Sequence, residues 1–124
     1  MSKMLEKEFG PLAVEIEVSD FNKSLNFYKE ILEFEPIRIE TDLKFASFNF
    51  NGALFMIQEE KDVEKRKSGA RIRFIIADVE KYYSLVKGRG VTITKPLETI
   101  DYGLKRFYLE DPDGYKLKFG SRIA

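Results

Sequence analysis

The feature that most constrains this chain is an internal repeat. The stretch "AVEIEVSDFNKSLNFYKEIL", residues 13–32, matches "RIRFIIADVEKYYSLVKGRG", residues 71–90, with Asp20 corresponding to Asp78. Lysines and apolar residues recur at the same offset. A repeat of this kind indicates that one supersecondary unit occurs twice, so the fold must be built from two similar halves.

Each copy predicts a strand followed by a helix. Strict alternation of apolar and polar residues is typical of a β-strand with one buried face. The buried sets are Val14, Ile16 and Val18 in the first copy and Ile72, Phe74 and Ile76 in the second. An aspartate then stands at the N-cap position of an amphipathic helix. The apolar stripes of the helices are Phe21, Leu25, Tyr28 and Leu32, and Val79, Tyr82 and Val86.

Two hairpin signatures follow the helices, "FNFNGALFMI" and "EDPDGYKLKF". In both, Asn-Gly or Asp-Gly is expected to supply the positive φ angles of a tight turn. The second hairpin has Lys116 and Lys118 where the first has Leu54 and Met56. Each module therefore reads as strand, helix and about three more strands. We place module one at about residues 12–60 and module two at about 70–121 of a single domain.

Two irregular stretches interrupt this pattern. "EEKDVEKRKSGA", residues 59–70, is dense in charge, and we interpret it as a solvated linker. "TKPLETIDYG", residues 94–103, contains proline and glycine and is predicted to be a loop, or alternatively a mobile flap bearing Tyr102.

Composition excludes several classes of function. The 124 residues carry 21 basic and 21 acidic side chains, so no net field favours nucleic acid. No window approaches the roughly 18 apolar residues of a membrane span, and the first ten residues lack a signal peptide, so we expect a cytoplasmic protein. The chain contains no cysteine and no histidine. Thiol chemistry, the commonest general base and the commonest transition-metal ligand are therefore absent.

The passages "VSDFNKSLNFYKEIL", "FNFNGALFMIQEE" and "FYLEDPDGYKLKF" resemble the vicinal oxygen chelate superfamily, the fold of glyoxalase I, bleomycin-resistance proteins, fosfomycin-resistance enzymes and extradiol dioxygenases. The match runs from about Leu12 to Gly120. The resemblance implies an α+β fold in which tandem βαβββ modules form a cupped mixed sheet with the helices on the outer face. It also implies that the ligand binds in the cup, and that a homodimer completes the cup.

Strand parity assigns side chains to the cup. The residues that alternate with the buried sets should face it. The candidate ligand-binding residues are Glu15, Glu17, Phe45, Leu54 and Met56 in module one and Arg71, Arg73, Arg106, Tyr108, Lys116 and Lys118 in module two.

The resemblance also locates the metal ligands of the family's metalloenzymes, which fall here on Ala13, Met56, Arg71 and Lys118. Alanine has no ligand atom, methionine is a soft thioether, and two cations would repel a divalent ion. We therefore expect neither a metal nor another cofactor.

Glutamates in the cup leave two readings open. Glu15 and Glu17, with Glu110 or Asp101, could hold a hard cation such as Mg²⁺. The reading we favour is that they pair across the cup with Arg71, Arg73 or Arg106, because buried charges need partners.

Three functions fit this cup. The favoured one is a metal-independent binding protein that sequesters an aromatic or anionic small molecule, such as a drug or metabolite, as in antibiotic resistance. The second is a metal-free lyase or isomerase, with Glu15 or Glu17 as base and Arg71, Arg73 or Lys118 stabilising an oxyanion. An enzyme of the family with a non-standard metal site is a variant of it. The third is a structural or regulatory domain whose cup receives a protein partner.

Overall fold

The computed structural model describes residues 12–63, 71–100 and 103–121, and the chain divides after Val63 into two compact units. The first unit contains β1 (Ala13–Val18), α1 (Phe21–Asn26), β2 (Glu35–Glu40), β3 (Phe45–Phe50) and β4 (Ala53–Glu59). The second contains β5 (Ile72–Ile75), α2 (Val79–Lys87), β6 (Thr92–Thr99), β7 (Lys105–Glu110) and β8 (Lys116–Gly120). No helix among these residues has the length and apolar character that crossing a membrane requires.

Each unit forms its own four-stranded mixed sheet. The strand orders are β1-β4-β3-β2 and β5-β8-β7-β6. The opening strand of each unit pairs in parallel with the last strand, and the other pairs are antiparallel. The predicted α+β class and the tandem βαβββ modules are therefore confirmed.

The predicted N-caps begin both helices. Asp20 accepts a hydrogen bond from the Lys23 backbone N–H at 3.1 Å, and Asp78 accepts one from Lys81 at 3.0 Å. Each aspartate thereby satisfies a backbone donor that has no partner inside the helix, which defines where the helix starts.

The first helix differs from the prediction in its second half. After α1 the chain continues as one π-helical turn, Phe27–Ile31, which the Leu32 N–H closes by donating to the Phe27 carbonyl at 2.9 Å. A π turn holds more residues than an α turn. Phe27 is consequently buried together with Tyr28, although the predicted stripe included only Tyr28.

An aromatic layer joins each helix to its sheet. In the first unit the Tyr28 ring centroid lies 4.9 Å from that of Phe55. In the second, Tyr82 lies 4.9 Å from Phe119, and Phe74 stacks on Phe119 at 4.9 Å. The face of each sheet that alternation assigned to the core is thus the face that the helix covers.

The two hairpin turns are not alike. Phe50 pairs with Ala53, and both residues between them have positive φ, 52° for Asn51 and 92° for Gly52, as the sequence predicts. This is the two-residue turn whose twist matches that of the strands.

The prediction of a second tight turn of the same kind is wrong. The loop from Asp111 to Tyr115 contains positive φ only at Gly114, whose N–H donates to the Asp111 carbonyl at 2.9 Å. Pro112 is suited to the second position of such a turn because its φ is restricted. The Asp111 carboxylate also accepts hydrogen bonds from the N–H groups of Asp113 and Tyr115, at 2.9 and 2.8 Å.

The prediction that residues 94–103 are irregular is also wrong for their first part, because residues 94–99 belong to β6. Pro96 is tolerated since β6 is an edge strand, where a missing N–H need not break a ladder. The register shifts on both sides of Lys95 obscure the alternation in the sequence. Residues 1–11, the linker segment 64–70, Asp101 and Tyr102 lie outside the described residues.

We predict that Phe74→Ala lowers the free energy of unfolding by about 3–5 kcal/mol, because it removes a buried ring from the layer beneath α2. Met56→Asp should cost much less, since Met56 lies on the sheet face away from the helix. Urea denaturation of both variants measures the difference. Equal losses would show that the two faces of the sheets have been assigned wrongly.

A second prediction concerns Glu59, which links β4 to the start of α1. Its carboxylate accepts the Phe21 N–H at 2.8 Å and the Lys44 ammonium at 3.0 Å. The Phe21 hydrogen bond, followed by that of Lys44, lowers the pKa of Glu59 below its ordinary value, although burial opposes the shift. The ionised carboxylate therefore stabilises the fold above the ordinary pKa, and this contribution is lost as the pH falls through the lowered value.

Glu59→Gln should accordingly reduce the thermal midpoint at neutral pH, because the amide accepts a hydrogen bond without the charge. The difference from the unmodified protein should shrink in acid, where Glu59 is itself protonated. Midpoints measured over a series of pH values provide the check. A difference that stays constant with pH would mean that the charge of Glu59 contributes nothing.

Candidate functional site

A row of polar side chains crosses all four strands of the second unit. Tyr108 on β7 pairs with Lys118 on β8 and with Lys95 on β6. Lys118 in turn pairs with Arg73 on β5. Paired residues of neighbouring strands project from the same face, and Phe107 and Phe119, which flank this row, face α2. The row therefore lies on the face away from α2, which we call the cation face.

Four cations surround the ring of Tyr108. The guanidinium carbons of Arg71 and Arg106 and the ammonium of Lys95 each lie 5.2 Å from the ring centroid. The Lys118 ammonium lies at 5.5 Å. These distances fall within the range of cation–π attraction, which partly offsets the repulsion between the cations.

Arg106 is the buried member of this group, with 9% of its surface exposed. It forms an ion pair with the exposed carboxylate of Glu98 through one nitrogen, Nη2. Its other terminal nitrogen, Nη1, is buried and has no hydrogen-bond partner among the described residues. A buried charged donor without an acceptor is costly, so this atom marks a place where an acceptor would be stabilised.

A glycine makes room for the arginines. A Cβ atom at Gly120 would lie 3.1 Å from the Cβ of Arg106 and 3.5 Å from Nη2 of Arg73. In the absence of that atom the Arg73 side chain reaches the Ser121 carbonyl and donates to it at 2.8 Å. Gly120 thus allows two arginines to lie side by side on the cation face.

The phenol of Tyr108 is perturbed by its surroundings. Burial is the largest single influence and raises the pKa of Tyr108, which is only 8% exposed. The charges of Lys118, Arg71 and Arg106, together with a hydrogen bond from Lys118, outweigh burial and leave the pKa below its ordinary value. The cation face consequently favours negative charge at its centre.

The corresponding row of the first unit has different chemistry. It runs from Glu15 through Met56 and Ser47 to Arg38. Glu15 is exposed, Met56 half-buried and Ser47 buried. Arg38 forms an ion pair with Glu40 in its own strand. The first unit therefore has no cluster of cations in the equivalent place among its described residues.

The predicted candidates are brought together within each unit. Leu54 and Phe45 lie on the same face as Met56, because the pairing of β3 with β4 keeps one register throughout. Glu17, which is exposed, lies on the same face as Glu15 because side chains alternate along a strand. On the cation face, Lys116 pairs with Glu110 one step beyond the central row. Two statements stay predictions. One is that the two sets line one cup, and the other is that Glu15 and Glu17 pair with arginines. Arg106 has Glu98 as its observed partner.

Two members of the site were missed from the sequence. Lys95 contacts Tyr108 and Glu98 pairs with Arg106, and both lie on β6. Neither was a candidate, because the stretch around Pro96 was interpreted as a loop. A strand hypothesis for this stretch would have required recognising an edge strand with two bulges, which leaves no regular alternation to detect.

The arrangement is chemically suited to hold an anion. Six cationic side chains occupy the cation face around Tyr108, and Glu98 pairs with one of them. Arginine and lysine donate charge-assisted hydrogen bonds to oxyanions, and an arginine with a free edge can do so with directional specificity. The Tyr108 ring adds an apolar surface on which a small ligand can pack.

Comparisons with known proteins agree with the fold. The family model of the Glyoxalase/Bleomycin resistance protein/Dioxygenase superfamily matches residues 10–119. The chain is 36% identical over 106 residues to the metallothiol transferase FosB of Staphylococcus saprophyticus, covering 82% of this chain and 69% of the relative.

Solved structures give the same result. The fosfomycin resistance protein FosX of Listeria monocytogenes superposes with a TM-score of 0.76 at 25% identity, covering 92% of this chain and 93% of FosX. A glyoxalase/bleomycin resistance protein/dioxygenase from Alicyclobacillus acidocaldarius superposes with a TM-score of 0.75 over 91% of both chains. Its 20% identity makes it a likeness of fold alone.

Proposed function

The chain belongs to the Glyoxalase/Bleomycin resistance protein/Dioxygenase superfamily, and from that premise we propose that it binds a small anionic molecule on its cation face without a metal ion. The observation that carries this proposal is the group of cations around Tyr108, in which Nη1 of the buried Arg106 has no acceptor in the part of the chain that the structure describes. An oxyanion would supply that acceptor and reduce the repulsion between neighbouring positive charges.

The relatives support an anion that is small and strongly charged. FosX is a fosfomycin resistance protein, and fosfomycin is a phosphonate. Phosphonate, phosphate and sulfate groups present several oxygens, which suit a group of cations that projects from four strands. We therefore take phosphonates and related oxyanions as the first ligands to examine.

Metal independence is supported by the donors that the chain offers. By resemblance, the ligand positions of the family's metalloenzymes fall on Ala13, Met56, Arg71 and Lys118. Of these, Arg71 and Lys118 are cations that lie beside the Tyr108 ring. Within the described residues no three histidine, cysteine, aspartate or glutamate side chains are grouped as a metal site would need. These residues do not fit a divalent metal ion.

Sequestration is the mode of action that we propose, in preference to catalysis by a glutamate. A glutamate that serves as a general base at neutral pH is usually buried, because burial raises the pKa of a carboxyl group toward neutral pH. Glu15 and Glu17 are both exposed, which argues against either as the base of a lyase or isomerase. A cytoplasmic homodimer remains part of the proposal.

Binding is tested by replacing one cation of the site and one matched cation elsewhere. Lys118→Met should weaken the affinity for phosphate, methylphosphonate or fosfomycin by about tenfold or more, because a charge-assisted hydrogen bond contributes about 1.5–3 kcal/mol. Lys87→Met is the matched control, since the Lys87 ammonium also lies 5.5 Å from a tyrosine ring, that of Tyr83 on α2. Isothermal titration calorimetry gives the affinities.

In this experiment Lys87→Met should bind the anions as the unmodified protein does. Two results would contradict the proposal. One is that the unmodified protein binds none of the three anions at millimolar concentration, and the other is that both variants lose affinity equally, which would indicate a non-specific effect of charge.

Metal independence predicts that thermal denaturation is insensitive to divalent ions. Chelator-treated protein should keep its midpoint when Mg²⁺, Mn²⁺, Fe²⁺, Ni²⁺ or Zn²⁺ is added in turn. A metal that binds the native state at 100 times its Kd would add about 2.7 kcal/mol and raise the midpoint by several degrees. A saturable increase with any of these ions would overturn this part of the proposal and favour an enzyme with a non-standard metal site.

A further inference from the structure

Tyr108 is the acidic group at the centre of the cation face. The charged and titratable residues that share this face among the described residues are Arg71 and Arg73 of the β5 segment, Lys116 and Lys118 of β8, Arg106 and Glu110 of β7, and Lys95 and Glu98 of β6. Glu98 is ion-paired with Arg106, and Glu110 lies beside Lys116. The cations nearest the Tyr108 ring thus exceed the carboxylates around them.

We propose that Tyr108 is an internal counter-ion of the site, whose phenolate form competes with a bound anion for the same cations, so that anion binding to that form is accompanied by uptake of one proton from solvent. Anion binding on the cation face is then coupled to proton uptake. In the step, the phenolate oxygen takes one proton from solvent and the ligand anion takes over the hydrogen bond donated by Lys118. This inference rests on the proposed function, because it concerns the same site and the same class of ligand.

The geometry makes the two negative charges compete. The phenolate and a ligand anion would both be stabilised by Lys118, Arg71 and Arg106, whose charges are the ones that act on Tyr108. Two anions held by the same cations repel one another, so each disfavours the other.

This competition is reciprocal. A bound anion must lower the acid dissociation constant of Tyr108 by the same factor by which the ionised phenol weakens the anion's affinity, which raises the pKa of Tyr108. The cations outweigh burial and lower the pKa of Tyr108 in the free protein. The change in anion affinity should therefore begin at a lower pH than the one at which an ordinary tyrosine ionises. Affinity should be highest while the phenol is protonated, and it should fall as the pH rises through the lowered pKa.

Sulfate is the appropriate probe, because its own charge does not change between neutral and alkaline pH. We expect the affinity of the unmodified protein for sulfate to fall by up to about tenfold per pH unit above the pKa of Tyr108. Tyr108→Phe should bind sulfate with a much flatter pH dependence, since the phenol that competes with the anion has been removed. Tyr83→Phe, which alters a tyrosine beside Lys87 on α2, should behave like the unmodified protein.

The ionisation of Tyr108 can also be observed directly. The chain has six tyrosines, and all of them contribute to the ultraviolet absorbance of tyrosinate. Subtracting the titration curve of Tyr108→Phe from that of the unmodified protein gives the contribution of Tyr108. Saturating sulfate should move that titration to higher pH. In the unmodified protein alone, sulfate added at a pH where part of the tyrosine is ionised should reduce the tyrosinate absorbance, a result that does not depend on the variant being stably folded.

The outcomes separate the two proposals. Sulfate binding with the same pH dependence in the unmodified protein and in Tyr108→Phe, or a Tyr108 titration that sulfate does not move, would overturn the counter-ion role while leaving anion binding intact. A protein that binds no sulfate at any pH would overturn both. A pH dependence that Tyr108→Phe removes, together with the shift in tyrosinate absorbance, would establish the coupling.

Discussion

In each unit, the packing of the helix against one face of the sheet determines which side chains project from the other face. In the second unit, Tyr82 on α2 packs on Phe107 and Phe119, and Phe74 stacks beside them. Burying these rings is worth several kcal/mol, so a shift of one residue in any strand would be severely destabilising. Once the aromatic set is buried, the alternate residues must project from the other face. Tyr108 and Lys118 are therefore adjacent on the cation face as a consequence of where the core lies.

The cost of that arrangement is electrostatic. Cations on neighbouring strands repel one another, and like charges directly opposite in a sheet are destabilising. The repulsion is moderated by the Tyr108 ring, by Glu98 and by the Ser121 carbonyl that accepts from Arg73. These contacts leave Nη1 of Arg106 without a partner among the described residues. Burial of the aromatic core offsets the repulsion among the cations, so the core keeps these side chains in a position that they would not take without it.

Much of the fold could be predicted, because local rules and global packing agree. Alternation located the buried faces, Asp20 and Asp78 begin their helices, and Asn51 with Gly52 forms the expected turn. The site was only partly accessible. Parity placed Tyr108 and Lys118 on one face, whereas Lys95 lies in a bulged edge strand whose pattern carries no period. The perturbed phenol also depends on distances between side chains of different strands, which no local sequence pattern encodes.

The two copies of the repeat show how such a face can arise from a shared scaffold. Their central rows occupy equivalent strands, with Met56 and Ser47 in the first unit where the second has Lys118 and Tyr108. Exchanges at these positions alter the charge of one face without replacing any residue of the aromatic layer on the opposite face. The first copy has the uncharged residues Met56 and Ser47 at the centre of this row, whereas the second has Lys118 and Tyr108 with further cations around them. Two copies of one scaffold can therefore carry faces of different charge, because the residues that determine the charge lie on the side of the sheet opposite the aromatic layer.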